Sequence, residues 1–158
     1  SARSTRRPIQ AQARQGRSGF PGRPFLWHND GMSQNHSGGC LCGAVRFSIA
    51  GPAKWTAWCH CRSCRRHTGA PVSAYAGFEK SQVQITDGAI AWHQSSTSAR
   101  RGFCATCGSS LAYEGERWPS EIHLHVGVLD DPEAVAPTGH AFPEERVAWV
   151  CVGPPPLP

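Results

Sequence analysis

Seven of the eight cysteines in this 158-residue chain fall into three clusters with short internal spacing. The clusters are Cys40/Cys42, Cys59/Cys61/Cys64 and Cys104/Cys107. Glycines flank the first pair and follow the last pair, and glycine permits the close backbone approach that a metal knuckle requires. Cysteine thiolates at these spacings are typical zinc ligands, so the sequence favours metal binding over disulfide formation.

The number of sulfurs indicates two unlike sites. A structural zinc takes four ligands, and Cys40/Cys42 together with Cys104/Cys107 would supply them. The middle cluster then has three sulfurs without a fourth, which is the pattern of a catalytic or ligand-exchanging zinc with an open position. Three alternatives stay open, namely a single four-cysteine site that draws on the middle cluster, four disulfides, and an iron–sulfur cluster.

Basic side chains surround the middle cluster. Arg62, Arg65 and Arg66 could offset an anionic zinc–thiolate centre or bind the carboxylates of a peptide-like thiol. The alternative is that they are solvated loop residues. His60 and His67 are candidates for proton transfer.

Other chemically capable side chains have a less specific context. His123 and His125 alternate with apolar residues, so they either line a pocket or occupy a solvated strand face. Cys151 stands alone in an apolar stretch and is expected to be a small buried residue. The tryptophans that we assign to core or pocket wall are Trp55, Trp58, Trp92 and Trp149.

The elements that must position these residues are predicted to be mainly strands. The 17 glycines and 13 prolines favour turns and short strands over long helices. Apolar alternation predicts strands at 44–49, 73–78, 82–86, 89–93, 110–113, 121–129 and 146–152, with a hairpin turn at Asp87-Gly88. Helical turns are expected only near 63–67 and 132–134. The fold class is therefore all-β.

The ends of the chain differ from its centre. The net charge of +5 lies within residues 1–31, where six arginines oppose one aspartate. We interpret 1–35 as a flexible Arg-rich tail, either leader or added sequence, with a nucleic-acid-binding arm as the alternative. The zinc-binding domain is expected at 36–152 and a Pro-rich tail at 153–158. No secretory signal or apolar span of ~20 residues occurs, so we expect a cytoplasmic protein without membrane contact.

The ordered motifs GGCLCGAVRF, CHCRSCRRHTGAPVSAYAGF, FCATCGSSLAY and HVGVLDDPEA extend over roughly 36–150. Together they resemble the glutathione-dependent formaldehyde-activating family, which includes centromere-protein-V-like proteins. The resemblance implies an Mss-four-like fold of packed antiparallel sheets. It also implies two zinc ions, a structural one on Cys40, Cys42, Cys104 and Cys107 and a catalytic one on Cys59, Cys61 and Cys64. His140, in PTGHAFPEERVAW, resembles a recurrent segment near the second site and is a candidate capping or substrate-contact residue.

The activity that the resemblance implies is condensation of formaldehyde with glutathione to S-(hydroxymethyl)glutathione, which is classed as carbon–sulfur lyase chemistry. The centromere-protein-V-like branch provides the alternative, a non-catalytic zinc-binding interaction module. In that case both metals would be structural, and the fourth ligand of the middle site would come from a partner or a water molecule.

The two clusters predict opposite effects of cysteine replacement. Cys61→Ser should abolish function and leave the fold intact, whereas Cys104→Ser should cost the fold because it opens the structural site. Thermal unfolding of both variants, followed by circular dichroism, measures the difference. Equal loss of stability in the two variants would contradict this division of roles.

Overall fold

A computed structural model describes residues 35–152 of the chain. The nucleic-acid arm proposed for the Arg-rich tail and the Pro-rich tail at 153–158 lie outside the described residues, apart from Asn35. No helix among the described residues is long and apolar enough to cross a membrane.

The described residues form ten strands and one short α-helix. In chain order the elements are β1 (His36–Gly39), β2 (Arg46–Ile49), β3 (Trp55–Cys59), α1 (Arg62–Thr68), β4 (Ser73–Glu79), β5 (Val83–Asp87), β6 (Ala91–Ser96), β7 (Ala99–Phe103), β8 (Ser110–Gly115), β9 (Glu121–His125) and β10 (His140–Ala141). Single turns of 3-10 helix occur at Lys80–Gln82, Val126–Val128, Glu133–Val135 and Pro143–Glu145.

The strands form two sheets. One sheet has the order β1-β2-β5, and the other has the order β10-β3-β4-β9-β8-β7-β6. Neighbouring strands are antiparallel except β10, which pairs with β3 in parallel. The all-β prediction is confirmed.

One hydrophobic core unites the two sheets. Phe47 and Ile49 of β2 belong to the same buried cluster as Phe78 of β4 and Leu124 of β9. Each of these side chains contributes roughly 1.5–3 kcal/mol through removal from water. The sheets therefore pack face to face through β2, β4 and β9.

The predicted hairpin at Asp87-Gly88 is wrong. Gly88 does have a positive φ of 64°, so the chain turns there. However, β5 pairs with β2 in the smaller sheet, whereas β6 pairs with β7 in the larger one. The turn carries the chain from one sheet to the other, and Gly88 lies so close to the Ala44 carbonyl that a Cβ atom would collide with it. A turn motif alone does not specify which strands pair.

Of the predicted strands, the one at 121–129 is shorter than expected and the one at 146–152 is absent. The strand predicted at 121–129 ends at His125, because Val126–Val128 forms a 3-10 turn that the Leu129 amide closes onto the Val126 carbonyl at 3.1 Å. No strand forms at 146–152. Instead, the Arg146 guanidinium donates two hydrogen bonds, of 2.9 and 2.6 Å, to the Val150 carbonyl and folds this segment into a compact turn. Cys151 is consequently exposed and not buried.

Four strands were not predicted, namely β1, β3, β7 and β10. β3 contains two tryptophans and no polar alternation, and β7 contains two arginines and a glycine. Both are internal strands of the larger sheet, so their pairing partners, rather than their own hydrophobic pattern, determine that they are strands. The helical turn expected near 63–67 is confirmed as α1.

The pairing of Trp55 with Gly77 across β3 and β4 provides a test of packing. The Trp55 ring lies directly over Gly77, so a Cβ atom there would overlap the ring, which a hydrogen bond from Trp55 Nε1 to Glu121 holds in place. Gly77→Ala should lower the free energy of unfolding by about 1–3 kcal/mol, as overpacking does. Urea denaturation measures this change. Gly127→Ala, which meets no atom within 4 Å, is the matched control, and an equal effect of both variants would contradict the assignment.

Candidate metal and active site

The first cysteine cluster consists of two tight turns, one from each sheet. Cys40 and Cys42 follow β1, and Cys104 and Cys107 follow β7. Each turn closes with a backbone hydrogen bond from a glycine at positive φ, Gly43 to the Cys40 carbonyl at 3.1 Å and Gly108 to the Cys104 carbonyl at 2.9 Å. All four sulfurs lie within 4.8 Å of one another.

The spacing of these sulfurs fits a tetrahedral zinc. Zn–S bonds of about 2.3 Å place the sulfurs of a regular tetrahedron about 3.8 Å apart. The structure has 3.5 Å between the Sγ atoms of Cys40 and Cys42, and 3.9 Å between those of Cys42 and Cys104. Both distances are far longer than the ~2.05 Å of a disulfide. These four residues could therefore hold a zinc ion that links the two sheets.

The second cluster is formed where β3 leads into α1. Cys59 ends β3, Cys61 is the N-cap of α1, and Cys64 lies in its first turn. The Cys64 amide donates a hydrogen bond of 3.3 Å to Cys61 Sγ, which fixes the turn. The three sulfurs lie within 4.8 Å of one another, and those of Cys59 and Cys64 are 3.6 Å apart. This placement agrees with the prediction that the three cysteines form one cluster.

Two residues that the sequence analysis missed contact this cluster. Arg101 of β7, only 7% exposed, has its Nη1 atom 3.5 Å from Cys64 Sγ, and the Tyr75 hydroxyl donates to the same sulfur at 3.6 Å. Hydrogen bonds from Cys59 and Cys61, followed by those from Tyr75 and by the charge of Arg101, lower the pKa of the Cys64 thiol to about 2. Only strand pairing in the larger sheet brings Tyr75 and Arg101 to the cysteines, so no local sequence signal identifies them.

The charge in this cluster is unevenly distributed among the sulfurs. The hydrogen bonds of Cys59 to Cys61 and Cys64 raise the pKa of the Cys59 thiol well above its usual value, so negative charge is favoured on Cys64 over Cys59. Arg101 lies 3.5 Å from Cys64 Sγ and offsets negative charge on that sulfur. Three thiolates at this separation would need a further cation, because like charges repel strongly in a buried site. The donor set therefore fits a divalent, sulfur-preferring ion such as zinc.

A cavity of about 560 Å³ lies beside the three-cysteine cluster. Its wall includes all three cysteines together with Tyr75 and Arg101. The other lining residues are Trp55, Ala57, Ser63, Ser95, Ser96, Ser98, Ala99, Tyr113, Trp118, His123, Ala141 and Phe142. This volume is in the range of cavities that bind small molecules. The cluster is therefore accessible to a small ligand from one side.

His60 and His140 contact each other and not this cavity. His60 is fully buried, and its Nε2 atom is 2.9 Å from Nδ1 of His140. Burial, followed by the charge of His140, lowers the pKa of His60. Parallel pairing of β10 with β3 brings the two rings together, since His140 pairs with Trp58 and Ala141 with Cys59. Their suggested roles in proton transfer and substrate contact stay predictions.

The histidines of β9 and α1 lie deeper than the sequence suggested. A solvated strand face for His123 and His125 is wrong, because both are buried. His123 lines the cavity, with its ring edge-on to Trp55 at 4.6 Å. His125 packs on Tyr75 at 4.2 Å and on His67 at 5.8 Å. The predicted role of His67 in proton transfer stays a prediction, since His67 does not line the cavity.

The three arginines of α1 lie outside the cavity. Arg62, Arg65 and Arg66 line a separate, open groove together with Trp149. Arg65 Nη1 donates a hydrogen bond of 3.0 Å to the Glu145 carbonyl. Their predicted contact with the substrate stays a prediction, and Arg101 is the arginine that contacts a sulfur of the cluster.

Two packed β-sheets with one four-cysteine and one three-cysteine cluster define a candidate metal-binding β-protein with a ligand cavity. The sequence model of the family described as glutathione-dependent formaldehyde-activating enzyme matches residues 35–145, and the chain belongs to this family.

Individual relatives agree with this assignment. A Halomonas elongata protein named "Putative glutathione-dependent formaldehyde-activating enzyme" is 29% identical over 126 residues, which cover 72% of this chain and 78% of that protein. An uncharacterized lyase of Schizosaccharomyces pombe is 30% identical over 78 residues, 49% of this chain and 56% of that protein. The crystal structure of a Rhodobacter sphaeroides protein superposes with a TM-score of 0.54 at 25% identity and covers 66% of this chain and 99% of that one.

Burial of His125 predicts a dependence of stability on pH. Burial, followed by the charges of His67 and Arg101, lowers its pKa to about 3, from an ordinary value of 6.5. Between these pH values the unfolded chain binds a proton that the native protein excludes. The contribution of neutral, buried His125 to the free energy of unfolding is therefore fully present above pH ~6.5. It is lost as the pH falls, at up to about 1.4 kcal/mol per pH unit.

Urea denaturation of the metal-loaded protein at pH 7 and pH 5 measures this loss. His125→Phe should reduce the loss of stability between the two pH values by up to about 2 kcal/mol. The exposed His93→Phe is the matched control and should behave as the unmodified chain does. If His125→Phe retained the full pH dependence, the buried neutral state of His125 would be disproved.

Proposed function

We propose that this protein condenses a thiol with a small aldehyde in the cavity beside the three-cysteine cluster, which is carbon–sulfur lyase chemistry in the reverse direction. The observation that carries the proposal is the placement of three converging cysteine sulfurs, with Arg101 and Tyr75 on Cys64, in the wall of a cavity that can accept a small molecule. The family name supports formaldehyde as the aldehyde and glutathione as a candidate thiol.

Cys59, Cys61 and Cys64 would hold a catalytic zinc, and Cys40, Cys42, Cys104 and Cys107 a structural zinc, two ions per chain. A zinc ion with three thiolate ligands and an open position favours the deprotonated, nucleophilic form of an added thiol. Arg101 and Tyr75 orient Cys64 and limit the build-up of negative charge on the sulfurs.

The reaction is balanced without an oxidant or reductant. One sulfur–carbon bond forms at the carbonyl carbon while the carbon–oxygen π bond breaks. The thiol proton is transferred to the carbonyl oxygen, which becomes a hydroxyl group. His123 lines the cavity, and burial lowers its pKa so that it is neutral and able to relay that proton.

The non-catalytic alternative assigns both clusters to structure. An interaction module needs no cavity at its metal cluster, so the cavity beside Cys59, Cys61 and Cys64 favours the enzyme. The expected partners are two small molecules, a thiol and an aldehyde. If the thiol is glutathione, we expect the protein to act in the cytoplasm.

Exchange spectroscopy with ¹³C-formaldehyde tests the proposal. The metal-loaded protein should accelerate exchange between free formaldehyde and its thiol adduct at least tenfold over buffer, and the metal-depleted protein should not. Arg101→Met should lower the acceleration about tenfold, as loss of about 1.4 kcal/mol of transition-state stabilisation does. Arg100→Met removes a neighbouring guanidinium that contacts Glu114 and Trp92, and should leave the rate unchanged.

Because Arg101 is buried, its replacement could damage the fold. Tyr75→Phe removes only the hydroxyl that contacts Cys64 and should also slow exchange, with unchanged near-UV circular dichroism. Equal acceleration by the loaded and metal-depleted protein would refute the proposed function.

A further inference from the structure

The walls of the cavity are mainly apolar and aromatic. Five aromatic residues line it together with three alanines, and the aromatic residues are Trp55, Tyr75, Tyr113, Trp118 and Phe142. The polar lining includes four serine hydroxyls, which carry no charge at neutral pH. Such a wall favours a ligand with a flat, apolar body.

The cavity offers one permanently charged lining side chain among the described residues, and that charge is already in use. The guanidinium of Arg101 contacts Cys64 Sγ at 3.5 Å and lies over the Tyr113 ring at 5.2 Å. This guanidinium is therefore already engaged by the cluster and by the Tyr113 ring. A ligand carboxylate that recruited Arg101 would compete with this contact.

The carboxylate of Glu121, which contacts the wall residues Trp55 and His123, already has its hydrogen-bond partners. Glu121 is buried and is bound by Lys54 Nζ at 2.7 Å, by Trp55 Nε1 at 3.0 Å and by His123 Nε2 at 3.2 Å. It does not line the cavity, so it offers no partner for a ligand ammonium group. The groove that contains Arg62, Arg65 and Arg66 is separate from the cavity.

Glutathione carries two carboxylates and one ammonium group at neutral pH besides its thiol. Burying such groups without partners is costly, and carboxylate-binding sites therefore supply arginine or lysine side chains. Among residues 35–152, the lining of the cavity supplies no free cation for two carboxylates and no acid for the ammonium group. Its volume would accommodate the tripeptide, so the mismatch is one of charge and not of size.

We propose that the thiol that this cavity accepts has an uncharged, aromatic body instead of the charged backbone of glutathione. This inference rests on the proposed function and narrows its thiol substrate. The aromatic body would lie between Trp55, Tyr113 and Trp118, with its sulfur directed to the three-cysteine cluster.

Isothermal titration calorimetry with the full, metal-loaded chain tests the inference. Phenylmethanethiol should bind at least tenfold more tightly than glutathione. Trp118→Ala should weaken phenylmethanethiol binding at least fivefold, because it removes one aromatic wall of the cavity. Trp149→Ala is the matched control, since Trp149 is 73% exposed and lies outside the cavity. Metal content measured after each titration separates binding from removal of metal by the thiol.

The outcomes distinguish this inference from the function on which it rests. Equal or tighter binding of glutathione would overturn the aromatic-thiol inference and leave the proposed condensation standing. An unchanged affinity of Trp118→Ala for phenylmethanethiol would also overturn it. Absence of binding by both thiols would overturn the inference together with the proposed function.

Discussion

The repulsion between closely packed thiolates is the constraint on which the site depends. Cys59, Cys61 and Cys64 lie within 4.8 Å of one another, and negative charge is favoured on Cys64, whose thiol pKa is lowered, over Cys59, whose thiol pKa is raised. Arg101 and Tyr75 compensate that charge from one side. A divalent cation would allow all three sulfurs to ionise. The positions of Arg101 and Tyr75 beside Cys64 are therefore explained by a cluster that binds metal through three sulfurs.

The strand order of the larger sheet brings the cysteine sulfurs, the Tyr75 hydroxyl and the Arg101 guanidinium close together. β3 ends in Cys59, β4 carries Tyr75 and β7 carries Arg101. β8 and β9, which follow β7 in the chain, lie between β4 and β7 in the sheet. The other cluster joins the turn after β1 to the turn after β7, so a metal there would connect the two sheets. With a metal bound, one cluster would stabilise the framework, and the other lies in the wall of the cavity that the framework forms.

The sequence predicted what depends on local spacing and missed what depends on strand pairing. The cysteine motifs, the helical turn at α1 and the all-β class follow from short-range patterns. Arg101 and Tyr75 could not be identified, because their contact with Cys64 requires the strand order of the larger sheet. Proximity in the chain made Arg62, Arg65 and Arg66 the natural candidates, yet α1 turns their side chains into another groove. The burial of His123 and His125 likewise results from the central position of β9.

X-ray absorption at the zinc edge of the thiol-free protein tests the central claim, that two unlike zinc sites share this fold, most directly. Four sulfurs in one cluster and three in the other give a predicted average of 3.5 sulfurs per zinc, with a light atom completing the second site. Bound zinc should number two ions per chain. One zinc per chain, or an average of four sulfurs per zinc, would contradict an open three-cysteine site.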